Sequence, residues 1–119
     1  MEKNSHPSVR VQTVAGSRPG VVIVKPQGFL DITNYGEFEE LTRRNEAPVL
    51  LVDLKEVPYI DSAVLGSMVA VHVACARHQR KYALVNANQR IQNMLAVSGV
   101  GEIIVSFSNI AQAEAALAR

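Results

Sequence analysis

The sequence predicts an α/β domain in which a largely parallel β-sheet carries helices, in the order β-β-α-β-α-β-α-β-α. Two observations lead there. Four runs have strand length: the β-branched "VVIV" (21–24), "PVLLVDL" (48–54), continuously apolar as expected of a strand buried on both faces, "YALVNA" (82–87), another buried strand, and "EIIVSF" (102–107), a final strand. Segments of helical period separate them, and such alternation implies crossover connections between parallel neighbours.

Each element has its own signal. "VRVQTVAG" (9–16) alternates imperfectly and reads as an outer strand. The turn-rich "SRPG" leads from it into "VVIVKPQG" (21–28), so the first two strands are expected to form a hairpin. Pro26 and Gly28 mark the end of the second strand. "DITNYGEFEELTRRN" (31–45) reads as a helix, with Asn34 and Glu37 at capping-box spacing, Phe38 and Leu41 apolar, and Arg43 and Arg44 at its negative end. After the strand 48–54, Pro58 prevents continuation, and a helix is expected from Ser62 to about His78. Asn88 is the expected N-cap of "QRIQNMLAVSG", where Ile91, Met94, Leu95 and Ser98 share a face and Gly99 stops the helix. "SNIAQAEAALAR" closes the chain, with Ile110, Ala113, Ala116 and Leu117 on one stripe.

The 119 residues suit one domain, expected at 8–119 behind a loose tail at 1–7. A net charge of +1 provides no global field for nucleic acid or anionic membrane. A single cysteine fits a reducing compartment, and the polar "MEKNSHPSVR" lacks the apolar core of a signal peptide. A cytoplasmic location is expected. The apolar stretch Ala63 to Ala76 is shorter than the roughly 20 residues a bilayer requires.

No glycine-rich phosphate loop opens any helix, and His6, His72 and His78 are scattered without metal-ligand spacing. Cys75 sits in an apolar stretch as a structural thiol rather than a nucleophile, and His72 reads as a packing or surface residue. The cluster Arg77, His78, Arg80 and Lys81 answers to helix-end electrostatics. The expectation is a protein with neither cofactor nor metal, and not an enzyme.

"PYIDSAVLG" (58–66) is the exception to this plainness. Asp31 follows the second strand, and Asp61 and Ser62 follow the third. If those strands are parallel neighbours, both loops emerge at the carboxyl edge of the sheet, where ligands and partners bind in such folds. Ser62 admits two readings: an N-cap, or a phosphoacceptor whose new charge the neighbouring carboxylates would repel. The helix behind it is apolar around much of its girth, with Leu65, Met68, Val69 and Ala76 on one face, extended by Val64, Val71 and Cys75. Either its alanines expose little area, or it offers a partner or self-association surface.

Taken in order, Gly28, Leu30 and Asp31, then Asp61, Ser62, Leu65 and Gly66, then Ser98 and Gly99 resemble the STAS domain of bacterial anti-anti-sigma factors over roughly residues 9–118. The resemblance implies a STAS-like mixed sheet and an anti-sigma factor antagonist. Such a protein binds an anti-sigma serine kinase, is released when the kinase phosphorylates Ser62, and is reset by a metal-dependent phosphatase. It also implies a partner face formed by Asp31, Asp61, Ala63, Val64, Leu65 and Gly66. Val64 stands where the family has glycine, Ala63 where a second hydroxyl is frequent, and Gln79-Arg80 where Gly-Gly often ends the helix. That last turn is therefore expected to be built differently. The alternative is an unphosphorylated STAS scaffold subunit of a signalling or lipid-transport assembly.

Overall fold

In the computed structural model, which describes residues 9–118, the apolar runs become a five-stranded sheet. The expected tail at 1–7 lies outside the described residues. In chain order the elements are β1 (Arg10–Ala15), β2 (Val21–Gln27), α1 (Gly36–Arg44), β3 (Val49–Asp53), α2 (Ser62–Arg77), β4 (Lys81–Val85), α3 (Gln89–Ser98), β5 (Val105–Phe107) and α4 (Ile110–Leu117). The spatial order is β1-β2-β3-β4-β5. The β1–β2 hairpin is antiparallel, and the other neighbours are parallel.

This order decides where the helices go. Each parallel strand lies beside its predecessor, and right-handed crossovers stepping in one direction place their helices on the same face. Phe38 of α1, Met68 of α2, and Ile91 and Leu95 of α3 accordingly join one core with Val24, Leu50, Val52 and Leu84. The other face packs Val21, Ile23, Val49, Leu51, Ala83 and Val85 against Ala113 of α4. Strand β3 therefore serves two cores with alternate residues, which is why all five of its residues are buried.

Several elements depart from their sequence signals. Pro26 lies inside β2, paired with Val11. The β2–β3 ladder covers only Val21–Val24, so the missing proline N–H removes no bond on that side. Helix α1 begins at Gly36, and Asn34 does not cap it. The Asn34 side chain accepts the Asp31 N–H at 3.0 Å and donates to the Phe29 carbonyl at 2.8 Å. Tyr35 takes the cap position without a side-chain bond. Strand β5 starts three residues late because a 3-10 turn (Val100–Glu102) folds the chain under α3 and buries Ile104. The α3 signals match: Asn88 Oδ1 accepts the Ile91 N–H at 2.8 Å, and Gly99 takes a left-handed φ of 83°. Ser98, however, is exposed. Along α4 the buried residues are Ala113 and Glu114, whereas Ala116 faces outward. In α2 the buried face is Val64, Leu65, Ser67, Met68, Val71 and Cys75; Val69 is half-buried and Ala76 exposed.

Helix α2 ends in the very turn for which glycine is the usual residue. The Arg80 N–H reaches the Cys75 carbonyl at 2.8 Å and the Gln79 N–H reaches Ala76 at 3.1 Å. That is the paired bonding of a Schellman stop. Gln79 adopts its left-handed conformation at φ 56°, and Arg80 then donates to the Asn45 carbonyl at 2.6 Å, tying the turn to the end of α1. The turn is not built differently; a side chain bears its strain, worth about 1 kcal/mol. Gln79→Gly is expected to raise the unfolding free energy by about that amount, and Gln79→Val to lower it, as read from urea midpoints.

Candidate functional site

Beyond the strand ends, the β2 and β3 chains stay together. Leu30 and Ile60 form an isolated parallel bridge, and both are fully buried. The Gly28 N–H bonds the Glu56 carbonyl at 2.9 Å, and the Leu30 N–H bonds Tyr59 at 3.1 Å. Asp31 and Asp61 each follow one member of that bridge, so they leave the sheet in register, with backbones about 5 Å apart. The sequence places both on one edge; the bridge makes them neighbours.

Their carboxylates have different tasks. Asp61 is the N-cap of α2: Oδ1 accepts the Val64 N–H at 3.1 Å, while Oδ2 accepts the Ile32 N–H of the adjacent loop at 2.9 Å. One side chain thus starts a helix and fastens the neighbouring loop to it. Asp31 is turned into its own loop, where Oδ1 accepts the Thr33 N–H at 2.9 Å and the Thr33 hydroxyl. The Asn34 N–H closes the same turn on the Asp31 carbonyl at 3.1 Å. On the other side, Asn88 caps α3 and also donates to the Pro58 carbonyl at 3.1 Å. Arg90 lies 4.5 Å over the Tyr59 ring. Three consecutive loops are cross-tied into one rim.

Ser62 is therefore not the N-cap of α2: Asp61 holds that position. Ser62 is the first residue inside α2, and its side chain is exposed. The freed hydroxyl stands at the positive end of a helix dipole, beside a carboxylate.

The expected partner-face residues divide by helix geometry. Ser62 and Gly66 are exposed, and Ala63, Asp61 and Asp31 are partly so. Val64 is fully buried and Leu65 nearly so, both in the helix-side core. Their place on the partner face is therefore corrected. The Val64 side chain fills the core and does not enter the surface around Ser62. Phe29 and Ile32 had not been singled out, yet they expose 42% and 67% of their surfaces beside Asp31. The signal is three large apolar residues, Phe29, Leu30 and Ile32, crowded about one aspartate, of which the core takes only Leu30. Asp53 was also missed. Buried at the end of β3, it accepts the Lys55 N–H at 3.0 Å and Asn86 Nδ2 at 2.9 Å, with the Lys25 ammonium 3.8 Å away. It supports the left-handed turn at Asn86, φ 61°.

The chain's one cysteine lies elsewhere. Cys75 is buried, and burial pushes its thiol up, partly opposed by the Arg80 guanidinium. Among the described residues no group of three or more His, Cys, Asp or Glu side chains could hold a metal ion, and no helix is long and apolar enough to cross a membrane.

Fold and rim together define a mixed α/β module with a cross-tied carboxyl edge and an exposed serine at its helix start. The chain belongs to the STAS-domain family, whose model matches residues 12–113. It is 30% identical over 98 residues to a Thermotoga neapolitana protein with the provisional name of anti-sigma factor antagonist TM1081 homolog, a match spanning 78% of this chain and 86% of that one. The fold superposes on the crystal structure of TM1081 of Thermotoga maritima, provisionally an anti-sigma factor antagonist. There the TM-score is 0.83 at 22% identity, over 92% of this chain and 95% of that one. It is also similar to the phosphorylated form of the Bacillus cell fate determinant SpoIIAA, with TM-score 0.66 at 13% identity, over 87% and 96% of the two chains.

The cap assignment separates two substitutions. Asp61→Ala is expected to lower the unfolding free energy by about 1–2 kcal/mol, the value of a lost N-cap. Ser62→Ala should change it by less than about 0.5 kcal/mol. Chemical denaturation of the two variants beside wild type measures both.

Proposed function

We propose that this domain is an anti-sigma factor antagonist that holds an anti-sigma serine kinase and is released when that kinase phosphorylates Ser62, so regulating sigma-factor-dependent transcription. The carrying observation is the exposed Ser62 hydroxyl at the first turn of α2, relieved of capping by Asp61. Transfer requires ATP bound by the kinase: Ser62 Oγ forms the new bond to the γ-phosphorus, the bond to ADP breaks, and the hydroxyl proton leaves to a base of the kinase. A metal-dependent phosphatase resets the serine.

The rim supports release by charge rather than by refolding. Phosphate brings about −1.5 to −2 charge. Both Asp61 oxygens already hold the nearby Val64 and Ile32 N–H donors, so a phosphoryl group on the next residue remains largely at the surface. There it meets the Asp61 and Asp31 carboxylates, and the rim becomes strongly acidic. Like charges brought together in an interface cost several kcal/mol, and about 1.4 kcal/mol is tenfold in affinity. The partner face we assign is Ser62, Ala63 and Gly66 of α2, with Asp31, Asp61 and the apolar Phe29 and Ile32.

Gly66 supports that face independently. It lies exposed within α2, and a Cβ added there would meet nothing within 4 Å. A helix-interior glycine costs about 1 kcal/mol against alanine, and no internal contact calls for one here. Close approach by another molecule does.

Incubation with the cognate kinase and ATP should add one phosphate to wild type and none to Ser62→Ala, which should still bind. Ser62→Asp should bind at least about tenfold more weakly by calorimetry. Undiminished binding by a verified phosphoprotein contradicts the mechanism. Gly66→Ala should stabilise the free domain by about 0.5–1 kcal/mol, while Gly66→Leu weakens kinase binding without unfolding it. If native cells instead hold a stable assembly in which Ser62 is unmodified and Ser62→Ala changes nothing, the protein is a scaffold subunit.

A further inference from the structure

The two faces of the sheet are closed in different ways. Three helices cover one. On the other, α4 packs alone among the helices against Val21, Ile23, Val49, Leu51, Ala83 and Val85. Its eight residues, "IAQAEAAL", bury one alanine completely, Ala113, while Ile110 and Leu117 stay partly exposed. A helix so short has little stability of its own, and its apolar anchorage is the buried Ala113 with the partly buried Ile110, Leu117 and Ala118 around it. It is joined through Ser108 and Asn109 to β5, a three-residue edge strand.

What α4 has besides this contact is Glu114, only 3% exposed. Its carboxylate is received by the turn of the β1–β2 hairpin, nearly a hundred residues earlier in the chain. Oε2 accepts the Ser17 N–H at 2.8 Å and the Arg18 N–H at 3.4 Å, and Oε1 accepts the Ser17 hydroxyl. Arg18 also donates to the Glu114 carbonyl at 3.3 Å. The cradle needs an absent side chain: a Cβ on Gly16 would lie 2.4 Å from Oε2. These bonds, the Ser17 hydroxyl first, hold the carboxyl below the usual glutamate range.

We infer that α4 is a strap that opens as a unit before the domain unfolds, with the Glu114–hairpin cradle as its latch. A terminal helix of eight residues with a single fully buried apolar side chain belongs to the low-stability end of a fold, where opening is local. The latch is made of hydrogen bonds to a charged group, the stronger kind. Opening uncovers Ile23, Leu51 and Val85 on the face opposite the Ser62 rim. The inference is independent of the function proposed for Ser62.

Hydrogen exchange followed by mass spectrometry tests it on wild type, Glu114→Gln and the milder Ser17→Ala. In wild type, amides of residues 113–118 are expected to exchange faster than those of Leu50–Val52. Glu114→Gln should accelerate the α4 amides about tenfold or more with much less effect on β3, and Ser17→Ala should do so in the same direction by less. If α4 and β3 exchange at one rate in wild type, or accelerate by the same factor in the variants, α4 is part of the global unit and the strap is refuted.

Discussion

One carboxylate organises the functional edge. Asp61 follows the buried bridge of Leu30 and Ile60, and its two oxygens take two N–H donors from different elements, Val64 of α2 and Ile32 of the adjacent loop. A carboxylate accepts through two separate oxygens, so Oδ1 can serve as cap while Oδ2 ties the loop; a serine at the cap would have a single oxygen for both donors. Because Asp61 fills the cap, Ser62 is left outside the bonding that starts the helix. The separation of a structural acid from a chemically available hydroxyl, one residue apart, is what the rest of the rim depends on.

The same economy recurs along the edge. Asn88 caps α3 and reaches back to Pro58, as Asp61 caps α2 and reaches back to Ile32. In each case a helix start is fastened to the loop before it in the sheet. The rim is therefore cross-tied at each helix start. The opposite face is arranged otherwise: one short helix and one glutamate close it. Two faces of a single sheet thus differ in how they are covered, because three crossovers of one hand leave the second face to the terminal segment.

Much of this was legible in the residues. β-branched and apolar runs of strand length announced the sheet, and Asn88 with Gly99 announced α3 at both ends. The start of α1 was not legible, since Asn34 has the composition of a cap but its acceptor is taken by the Asp31 N–H three residues before it. Nor was the burial of Val64 and Leu65, because a helix apolar around most of its girth does not declare which side meets the sheet. Asp53 and Glu114 were invisible for a related reason: an acid in an apolar or alanine-rich segment reads as solvated until its partners, here Asn86 and the Ser17–Arg18 turn, are brought to it.

By itself, then, the sequence determined the order of strands and helices, the largely parallel sheet and the placing of Asp31, Asp61 and Ser62 on one edge. These follow from local periodicity and from the handedness of connections, which the chain carries at every point. The tertiary structure alone decided which acid caps α2, which of residues 61–66 face outward, and that Glu114 latches α4 to a turn 97 residues away. Those depend on hydrogen bonds and packing between segments distant in the chain, whose energies exist only once the sheet has set its register.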